Sequence, residues 1–442
     1  MHVHSNISSG KYSIEKIAQI AKENGISVVI LTDHDKVRLE YGILPFRNIL
    51  KKVEERPSVL KYGIEKYFKE IEGINKKHKD VLFIPGVQSS PFYYWTGNPL
   101  KKILTCHLYR KELLVLGLKP EAYKKLPTLY NGFSTRYVKK LLPGCLPFLG
   151  LLFLSFVPIY WGGIYRVIGI LMFLLSLLGI IDTHPFKLSP FDPYHGNQGE
   201  APYQEFINYV NEKGGLVFWA HPESRYSIRG KKYGPVILKT PLYPQSLLNT
   251  YNYTGFAALY GDYITAINPG NYWDMCLKEY CLGKKKRAVW GYSEADFHGE
   301  EPFSMFQTMF LIREKNQEEI IFALKKGRFY AIFTPDEKKK LILNEFYITN
   351  EEGTKIAILG EEISLKGKPY IHIGIDYPES TQLKVRLIRY GEVIKEWESY
   401  TPFNVCYKDD FYKKDVKTFY RIDVKTKKAG RLVSNPIFVS FK

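Results

Sequence analysis

Paired cysteines are what this sequence most plainly lacks. Cys106, Cys145, Cys276, Cys281 and Cys406 are odd in number and form no CxxC, which argues against a disulfide framework and against a thiolate zinc site. A reducing compartment is the simpler expectation. The opening MHVHSNISSG has no apolar core, so no signal peptide is expected there. No internal repeat or low-complexity segment stands out, and the composition shows no sign of wholesale disorder. Acidic residues are in deficit, 45 against 63 Lys and Arg, for a formal charge of +18 over 442 residues. That excess suits an anionic partner: a phosphorylated substrate, nucleic acid, or the anionic face of a membrane. On charge alone, a solvated basic surface is the more ordinary explanation. No basic stretch is interleaved with aromatics to form a nucleic-acid track, so nucleic acid is permitted as a partner and not favoured.

What is present is a rhythm of helices and apolar strands. Ile14, Ile17, Ile20 and Ala21 fall at helical spacing, with Ser13 as a cap and Gly25 following, and predict a helix over residues 13–24. Residues 26–31 are an unbroken apolar run, as expected of a buried parallel strand, and end in Thr32-Asp33-His34-Asp35. Residues 81–84 and 113–118 predict a second and a third such strand. Residues 216–219 predict a fourth, ending in Ala220-His221-Pro222. Side chains able to bind metal recur just past strand ends, as in enzymes built as barrels of alternating β and α units. The expected fold class is α/β, with a barrel favoured over an open sheet.

Residues 141–181 break this rhythm. They read LLPGCLPFLGLLFLSFVPIYW, then GGIYRVIGILMFLLSLLGII, and each half is about long enough to cross the hydrocarbon core. The only charge is Arg166, near the central turn, where Tyr160, Trp161 and Tyr165 cluster as in an interfacial aromatic belt. The rival readings are a pair of buried core helices and, because of Pro143, Pro147 and Pro158, a shallow re-entrant hairpin. Lys124, Lys125, Arg136, Lys139 and Lys140 precede the first segment, so the positive-inside rule places both soluble flanks in the cytoplasm. The expected organisation is a first barrel part over 1–140, a transmembrane hairpin over 141–181 in contact with membrane lipid, and a second barrel part over 182–335. An all-β sandwich follows over 338–442, its short strands separated by turns such as Glu352-Gly353 and Tyr390-Gly391. The sandwich holds no catalytic constellation, so docking or scaffolding is its default role.

The chemistry sits in a few histidines and carboxylates. His2 and His4, two apart on an extended chain, point to one side and can grip one metal. Asp296-Phe297-His298 repeats that spacing, Asp33 and Asp35 flank His34, and His221 adds an imidazole past a strand. Any one alone is as well explained as a structural histidine; four clusters at expected strand ends point to a metal centre. Imidazoles and carboxylates without thiolates suit Zn, Mn or Fe, and two such ions can activate a water and clamp a phosphoryl oxygen. A metal-binding His-x-His usually ends a strand, yet almost nothing precedes His2. Either Met1 ends a very short strand or an upstream piece is absent from this chain.

In this order HVHSNISSG, ILTDHD, FIPGVQ, the stretch around CHLYRKELLVLGL, FWAHPE, EADFHG and the closing helix EEIIFALKKGRFYAI resemble the PHP family, named for polymerase and histidinol phosphatase domains. The resemblance covers roughly residues 1–335, the hairpin set aside. The tail, with LVSNPIFV near its end, looks like the β-rich appendage of a metallohydrolase branch of that family. The resemblance implies a distorted seven-stranded β/α barrel, two or three divalent metals in its mouth, and phosphoester hydrolysis. It implies a metal shell of His2, His4, His34, His221, Asp296 and His298, with Asp33 binding directly or supporting His34, and with Asp33, His34 and Asp296 as the catalytic set. Three positions depart from the pattern. Ser9 stands where an acidic residue usually precedes the glycine, here Gly10. Gln88 stands where a glutamate normally bridges metals. Glu112 stands where a histidine is expected, and His107 is a candidate to replace that histidine. In one account Glu112 restores the charge lost at Gln88; in the other the site has decayed. Without a catalytic role, Gln88 would hydrogen-bond across the mouth and Glu112 would pair with Arg110 or Lys111. His78, His184, His195 and His372 are read as structural, and the loop DTHPFKLSPFDPYHGNQGE as a cover for the mouth.

The expected function is a membrane-anchored hydrolase of phosphate monoesters or diesters that uses metal-activated hydroxide. Its expected substrate is a phosphorylated small molecule or a membrane-adjacent one. The alternatives are a nuclease acting on oligonucleotide ends and a catalytically decayed, membrane-bound binding module. Oligomeric state is not legible.

Overall fold

The structure is a computed structural model that describes residues 1–98, 103–129, 132–226 and 228–442. Its centre is a six-stranded sheet, whose strands we number β1 (Val28–Leu31), β2 (Leu82–Ser89), β3 (Leu113–Leu116), β4 (Leu216–Trp219), β5 (Gly255–Leu259) and β6 (Trp290–Ser293), adjacent in that order. Every residue of β3 to β6 is buried, which is why β3 and β4 read as unbroken apolar runs. Helices cover the outside. Ile14–Glu23 is one of them: the Ser13 side chain accepts from the Lys16 amide, and the helix buries Ile14, Ile17, Ala18 and Ala21.

The pairs β1–β2, β4–β5 and β5–β6 are parallel, but β3 is antiparallel to both β2 and β4. The third run was expected to be parallel, and the connection explains the difference. The chain leaves β2 through two paired strands, Tyr94–Asn98 and Ile103–His107, rather than through a crossover helix. It therefore re-enters the sheet from the end at which it left. A further consequence is that the residue before β3, Glu112, stands beside the residues after β1, β2, β4 and β6.

The two edges of the sheet approach each other through the first residues of the chain. Val3 makes isolated bridges to Leu31 and to Phe297, with the Thr32 amide donating to the Val3 carbonyl and the His4 amide to the Phe297 carbonyl, both at 2.9 Å. Among the described residues this contact is a single-residue bridge and not a seventh strand.

Over the carboxyl ends of the parallel strands stands a second layer. The hairpin Val37–Gly42 with Lys51–Arg56 follows β1, and a four-stranded sheet takes Tyr94–Asn98 and Ile103–His107 after β2 with Lys231–Tyr233 and Val236–Lys239 after β4. Leu39, Tyr93, Trp95, Leu104 and Cys106 give this layer its own small core.

Between β3 and β4 lie two helices, Val138–Trp161 and Gly163–Thr183, each long and apolar enough to cross a membrane. Pro143, Pro147 and Pro158 all lie inside the first, which nonetheless runs as one helix. The pair packs through small residues: Cys145, Ser155, Gly169, Ser176 and Gly179 are buried. A Cβ at Gly169 would meet the Ser155 carbonyl at 2.8 Å, and one at Gly179 the Phe148 ring at 2.0 Å. Close backbone approach at small residues is how helices associate where no hydrophobic drive separates them from their surroundings. Phe153, Leu154, Leu171 and Leu174 point outward and are exposed. The loop that follows packs on the second layer. The Asn48 amide donates to Asp182 Oδ1 at 2.6 Å, the Trp95 amide to the Pro193 carbonyl at 2.9 Å, and the Arg47 guanidinium lies 4.1 Å from the centre of the Tyr194 ring.

The C-terminal strands form two sheets around a shared core that includes Ile348, Ile373, Val385, Ile422 and Val439. The larger sheet begins upstream of the boundary expected near residue 335: Phe306–Phe310 and Phe329–Phe333 belong to it, the latter paired with Arg431–Ser434. Tyr390 and Gly391 both have positive φ, 48° and 81°, as a two-residue hairpin turn requires. Arg421 locks this unit to the central one. Fully buried, it donates to both oxygens of Asp274, on helix Tyr272–Cys281, at 2.6 and 2.7 Å, and to the Ile267 carbonyl at 3.0 Å. Arg421→Ala would strand the Asp274 carboxylate in a dry interface. The expected loss is about 3–5 kcal/mol, read as a lower urea midpoint, and an unchanged midpoint would refute this role.

Candidate metal centre

The strand ends converge on one cluster. Because successive side chains of an extended chain alternate, Val3 is buried in the core while His2 and His4 both face the mouth, their Nε2 atoms 2.9 Å apart. Gly10 keeps the turn beneath His4 tight, since a Cβ there would lie 2.2 Å from the His4 carbonyl oxygen. His34 follows β1 and bridges Gln88 on β2. Past β6, Glu294, Asp296 and His298 alternate along the chain. Three groups place their ligand atoms within 4.8 Å of one another: His2, His4 and Asp296; His4, His34 and His298; His2, His221 and Glu294. His2 and His4 belong to two groups each, so the three are continuous. His2 Nε2 lies 3.0 Å from Asp296 Oδ1, and His2 Nδ1 lies 3.7 Å from Glu294 Oε2. The His4 ring lies 4.8 Å from that of His34 and 4.2 Å from that of His298. His2, His221 and Asp296 have φ of 67°, 23° and 46°, a region that L residues enter at a cost and that clusters at functional sites.

Electrostatics polarise the cluster. Burial disfavours a charged His2, but the Glu294 and Asp296 carboxylates outweigh it and lift its pKa to about 10. Burial, reinforced by the neighbouring imidazoles of His2 and His298, pushes His4 down to about 3. Burial holds His34 well below the usual range as well, with His4 and Arg110 nearby. Asp296 and Glu294 are both held below the ordinary carboxylate range, because His2 more than offsets their burial. The metal-free cluster thus carries a proton on His2 and presents His4 and His34 as neutral donors.

The residues fit divalent cations on a direct observation. His2 Nδ1, Gln88 Oε1, Glu112 Oε2, His221 Nδ1 and Glu294 Oε1 are buried and have no hydrogen-bond partner. Buried polar atoms left unmatched cost free energy, and cations bound among them would offset that cost. The imidazole and carboxylate donor set suits borderline divalent ions.

Not every expected residue is brought to this cluster. Asp33 is turned from it: its oxygens accept from the Ser5 amide at 2.8 Å, the Ser5 hydroxyl at 2.8 Å and the Ser8 hydroxyl at 2.6 Å, and burial raises its pKa to about 6. Both oxygens are committed to the first loop, so Asp33 braces the backbone beside His4. His107 is also elsewhere. It ends a strand of the second layer, stacks on Tyr94 with ring centres 4.6 Å apart, and lies 2.7 Å from Thr96 Oγ1. Glu112 does reach the site, 3.4 Å from His221 Nε2, while Lys111 pairs with Glu200. Gln88 Nε2 lies 3.4 Å from His221 Nε2. Ser9 is exposed, and the neighbouring Ser8 makes the bond to Asp33 instead. Glu294 is the residue sequence reasoning missed. Its signal was the alternation Glu294, Asp296, His298, which extends the recognised pair by one step of the strand period.

Residues 1–131 match the family model described as PHP domain, and the resemblance read from the sequence is borne out over these residues. PHP domains are generally metal-dependent hydrolases and typically bind divalent metals. The match includes His2, His4, His34, Gln88 and Glu112; His221, Glu294, Asp296 and His298 lie beyond it. No curated protein matches the chain.

Two predictions test this geometry. His2 holds a proton in the metal-free protein, so a cation must displace it. Metal affinity should therefore rise with pH through the neutral range and level off above about 10, with about one proton released from His2 per protein at pH 7. Titration calorimetry in buffers of differing ionisation enthalpy measures this, and affinity independent of pH would refute it. Among variants, Glu294→Gln should lose bound metal, Asp33→Asn should bind about 10–100-fold more weakly through a displaced His4, and His107→Ala should bind as the parent does. Elemental analysis after dialysis against a metal buffer ranks them.

Proposed function

We propose that the protein is a membrane-anchored, metal-dependent phosphoesterase, its site in the mouth of a seven-stave β/α barrel with the Val3 segment as the seventh stave. The observation that carries this reading is the three linked groups of candidate ligands, joined on the His221 side by buried atoms without a hydrogen-bond partner. Two or three cations, Zn, Mn or Fe, would be held by His2, His4, His34, His221, Glu294, Asp296 and His298, with Glu112 and Gln88 completing the His221 side. Bound there, they would supply Lewis acidity for a phosphoryl oxygen and for the attacking water. The chain's own residues do the rest. The Arg110 guanidinium, with Nη1 4.0 Å from Glu112 Oε1, presents positive charge to an incoming phosphate. Asp33 holds the His4 backbone in place, and the second layer restricts water above the mouth.

Anchoring rests on the outward apolar side chains of the two long helices and on Lys124, Lys125, Arg136, Lys139 and Lys140 before them, which orient the soluble parts toward the cytoplasm. A second reading, a binding module without turnover, is favoured by Gln88 alone, whose neutral amide is a poor bridge between two cations.

The test is hydrolysis of a chromogenic phosphomonoester and a chromogenic phosphodiester by protein loaded in turn with Zn, Mn and Fe. Turnover is expected with at least one metal and should fall at least about 100-fold in Asp296→Asn. Full metal occupancy without turnover on either ester would select the binding module. For the anchor, the intact chain should require detergent for release from membranes, and deletion of residues 141–181 should free it. An intact chain in the soluble fraction would refute anchoring.

A further inference from the structure

Behind Glu112 lies a buried ion pair to which the metal centre assigns no role. Lys111 is 4% exposed, and its ammonium donates to both oxygens of Glu200 at 2.7 and 2.8 Å. The Ser246 hydroxyl donates to the same carboxylate at 2.8 Å. Three rings enclose the ammonium: it lies 4.2 Å from the centre of the Tyr203 ring, 5.4 Å from that of Trp219 and 5.7 Å from that of Tyr243. All three are buried. A buried pair of this kind gives little or no net stability over uncharged side chains of the same size, because the desolvation of two charges offsets their attraction. Stability therefore does not account for it, and its placement does.

The enclosure is built from the residues that carry two candidate ligands. Lys111 immediately precedes Glu112. Trp219 ends β4, two residues before His221. The Tyr243 hydroxyl donates to the Ala220 carbonyl and the Tyr243 amide to the Pro222 carbonyl, both at 2.7 Å, so Tyr243 holds the backbone on either side of His221. The Ala220 amide donates to the Glu112 carbonyl at 3.1 Å. Glu200 caps the helix Ala201–Glu212, which carries Tyr203. One ammonium thus draws together the segment that bears Glu112, the strand end that bears His221 and the helix behind both. In the mouth, Glu112 Oε2 stands 3.4 Å from His221 Nε2 and has no hydrogen-bond partner of its own, so its direction depends on how its backbone is held.

We propose that Lys111 and Glu200 are positioning residues of the metal centre. Locked to each other inside the three rings, they aim the Glu112 carboxylate at His221, so that both side chains reach one cation. Neither touches that cation. This rests on the reading that Glu112 and His221 bind metal, and its test needs no turnover.

The experiment is a mutant cycle on the full chain in detergent, scored as Zn(II) affinity in competition with a chromophoric chelator. K111M/E200Q removes both charges, leaves neither partner buried alone, and keeps a hydrogen-bonding group for Ser246. Its melting temperature should match or exceed that of the parent, while Zn(II) affinity falls about tenfold. E112Q should weaken binding by itself. In the E112Q background, which already lacks the carboxylate to be positioned, K111M/E200Q should have no further effect. Affinity equal to the parent's in K111M/E200Q or in E112Q overturns the proposal. An equal loss from K111M/E200Q with and without E112Q also overturns it, because the loss then reports a loosened site and not a misdirected Glu112. That criterion holds even where K111M/E200Q melts below the parent. A parent chain that binds no Zn(II) overturns the metal centre and this proposal together. A parent that binds Zn(II), follows the cycle and hydrolyses no ester refutes the phosphoesterase reading and leaves the positioning pair standing.

Discussion

The whole site depends on a short stretch of backbone pairing. Val3 sits between the end of β1 and the residues that follow β6, held by hydrogen bonds to Thr32 on one side and Phe297 on the other. Those bonds close the gap between the sheet's edges and at the same time turn His2 and His4 toward Asp296, His34 and His298. Two ligand-bearing strand ends that would otherwise be an entire sheet apart become neighbours. Asp33 then secures the arrangement from below: by accepting from Ser5 and Ser8 it fixes the loop out of which His4 emerges. A residue one step from His34 in sequence thus acts on His4 instead.

That division of labour marks what could be read from the chain and what could not. Period-two alternation and the position of polar residues after apolar runs placed His2, His4, His34, His221, Asp296 and His298, because those features depend only on strand geometry. The family resemblance placed Asp33 among the ligands, but the direction of its side chain is decided by hydroxyls at Ser5 and Ser8, which no local pattern ranks above a metal. His107 failed for a topological reason. Its strand belongs to the second layer, and membership of a sheet is a long-range property. Glu112 and His107 are five positions apart, and only the antiparallel entry of β3 decides which of them reaches the mouth. The β-rich tail was legible as strands, while the recruitment of Phe306–Phe310 and Phe329–Phe333 into its larger sheet was not, because the contacts responsible, such as Asn435 with Gly291 and Phe329, join residues more than a hundred positions apart.

The insertions share a logic. The hairpin after β1 and the strands after β2 and β4 all leave from the carboxyl ends of strands of the central sheet, the end at which α/β folds build their sites. The two apolar helices enter between β3 and β4, yet the loop leaving them returns to this same layer through Asp182, Pro193 and Tyr194. Whatever surface the helices occupy is thereby coupled to the wall above the mouth and not to the far side of the central sheet. Basic side chains follow the same layer: Arg56, Arg110, Lys231 and Lys232 line one pocket there. The carboxylates of Glu112 and Glu294 are buried, whereas that of Asp296 is partly exposed, so positive and negative charge meet at the mouth.

Gln88 is the hardest residue to reconcile with a working centre, and its surroundings change the question. A glutamate there would face His221 and stand close to Glu112, which lies 3.4 Å from the same imidazole nitrogen. Two carboxylates crowded onto one histidine would repel each other unless a cation lay between them, because like charges at short range cannot both remain ionised cheaply. With Gln88 an amide and Glu112 an acid, the pair carries one negative charge, as a glutamate paired with a histidine would. The carboxylate at this corner therefore stands on the residue before β3 and not on β2. A cation bound by His2, His221 and Glu294 would meet that oxygen from the other wall of the mouth. In the proposed centre Glu112 would serve from across the mouth the role that an amide at Gln88 cannot, and the antiparallel β3 makes that position geometrically available.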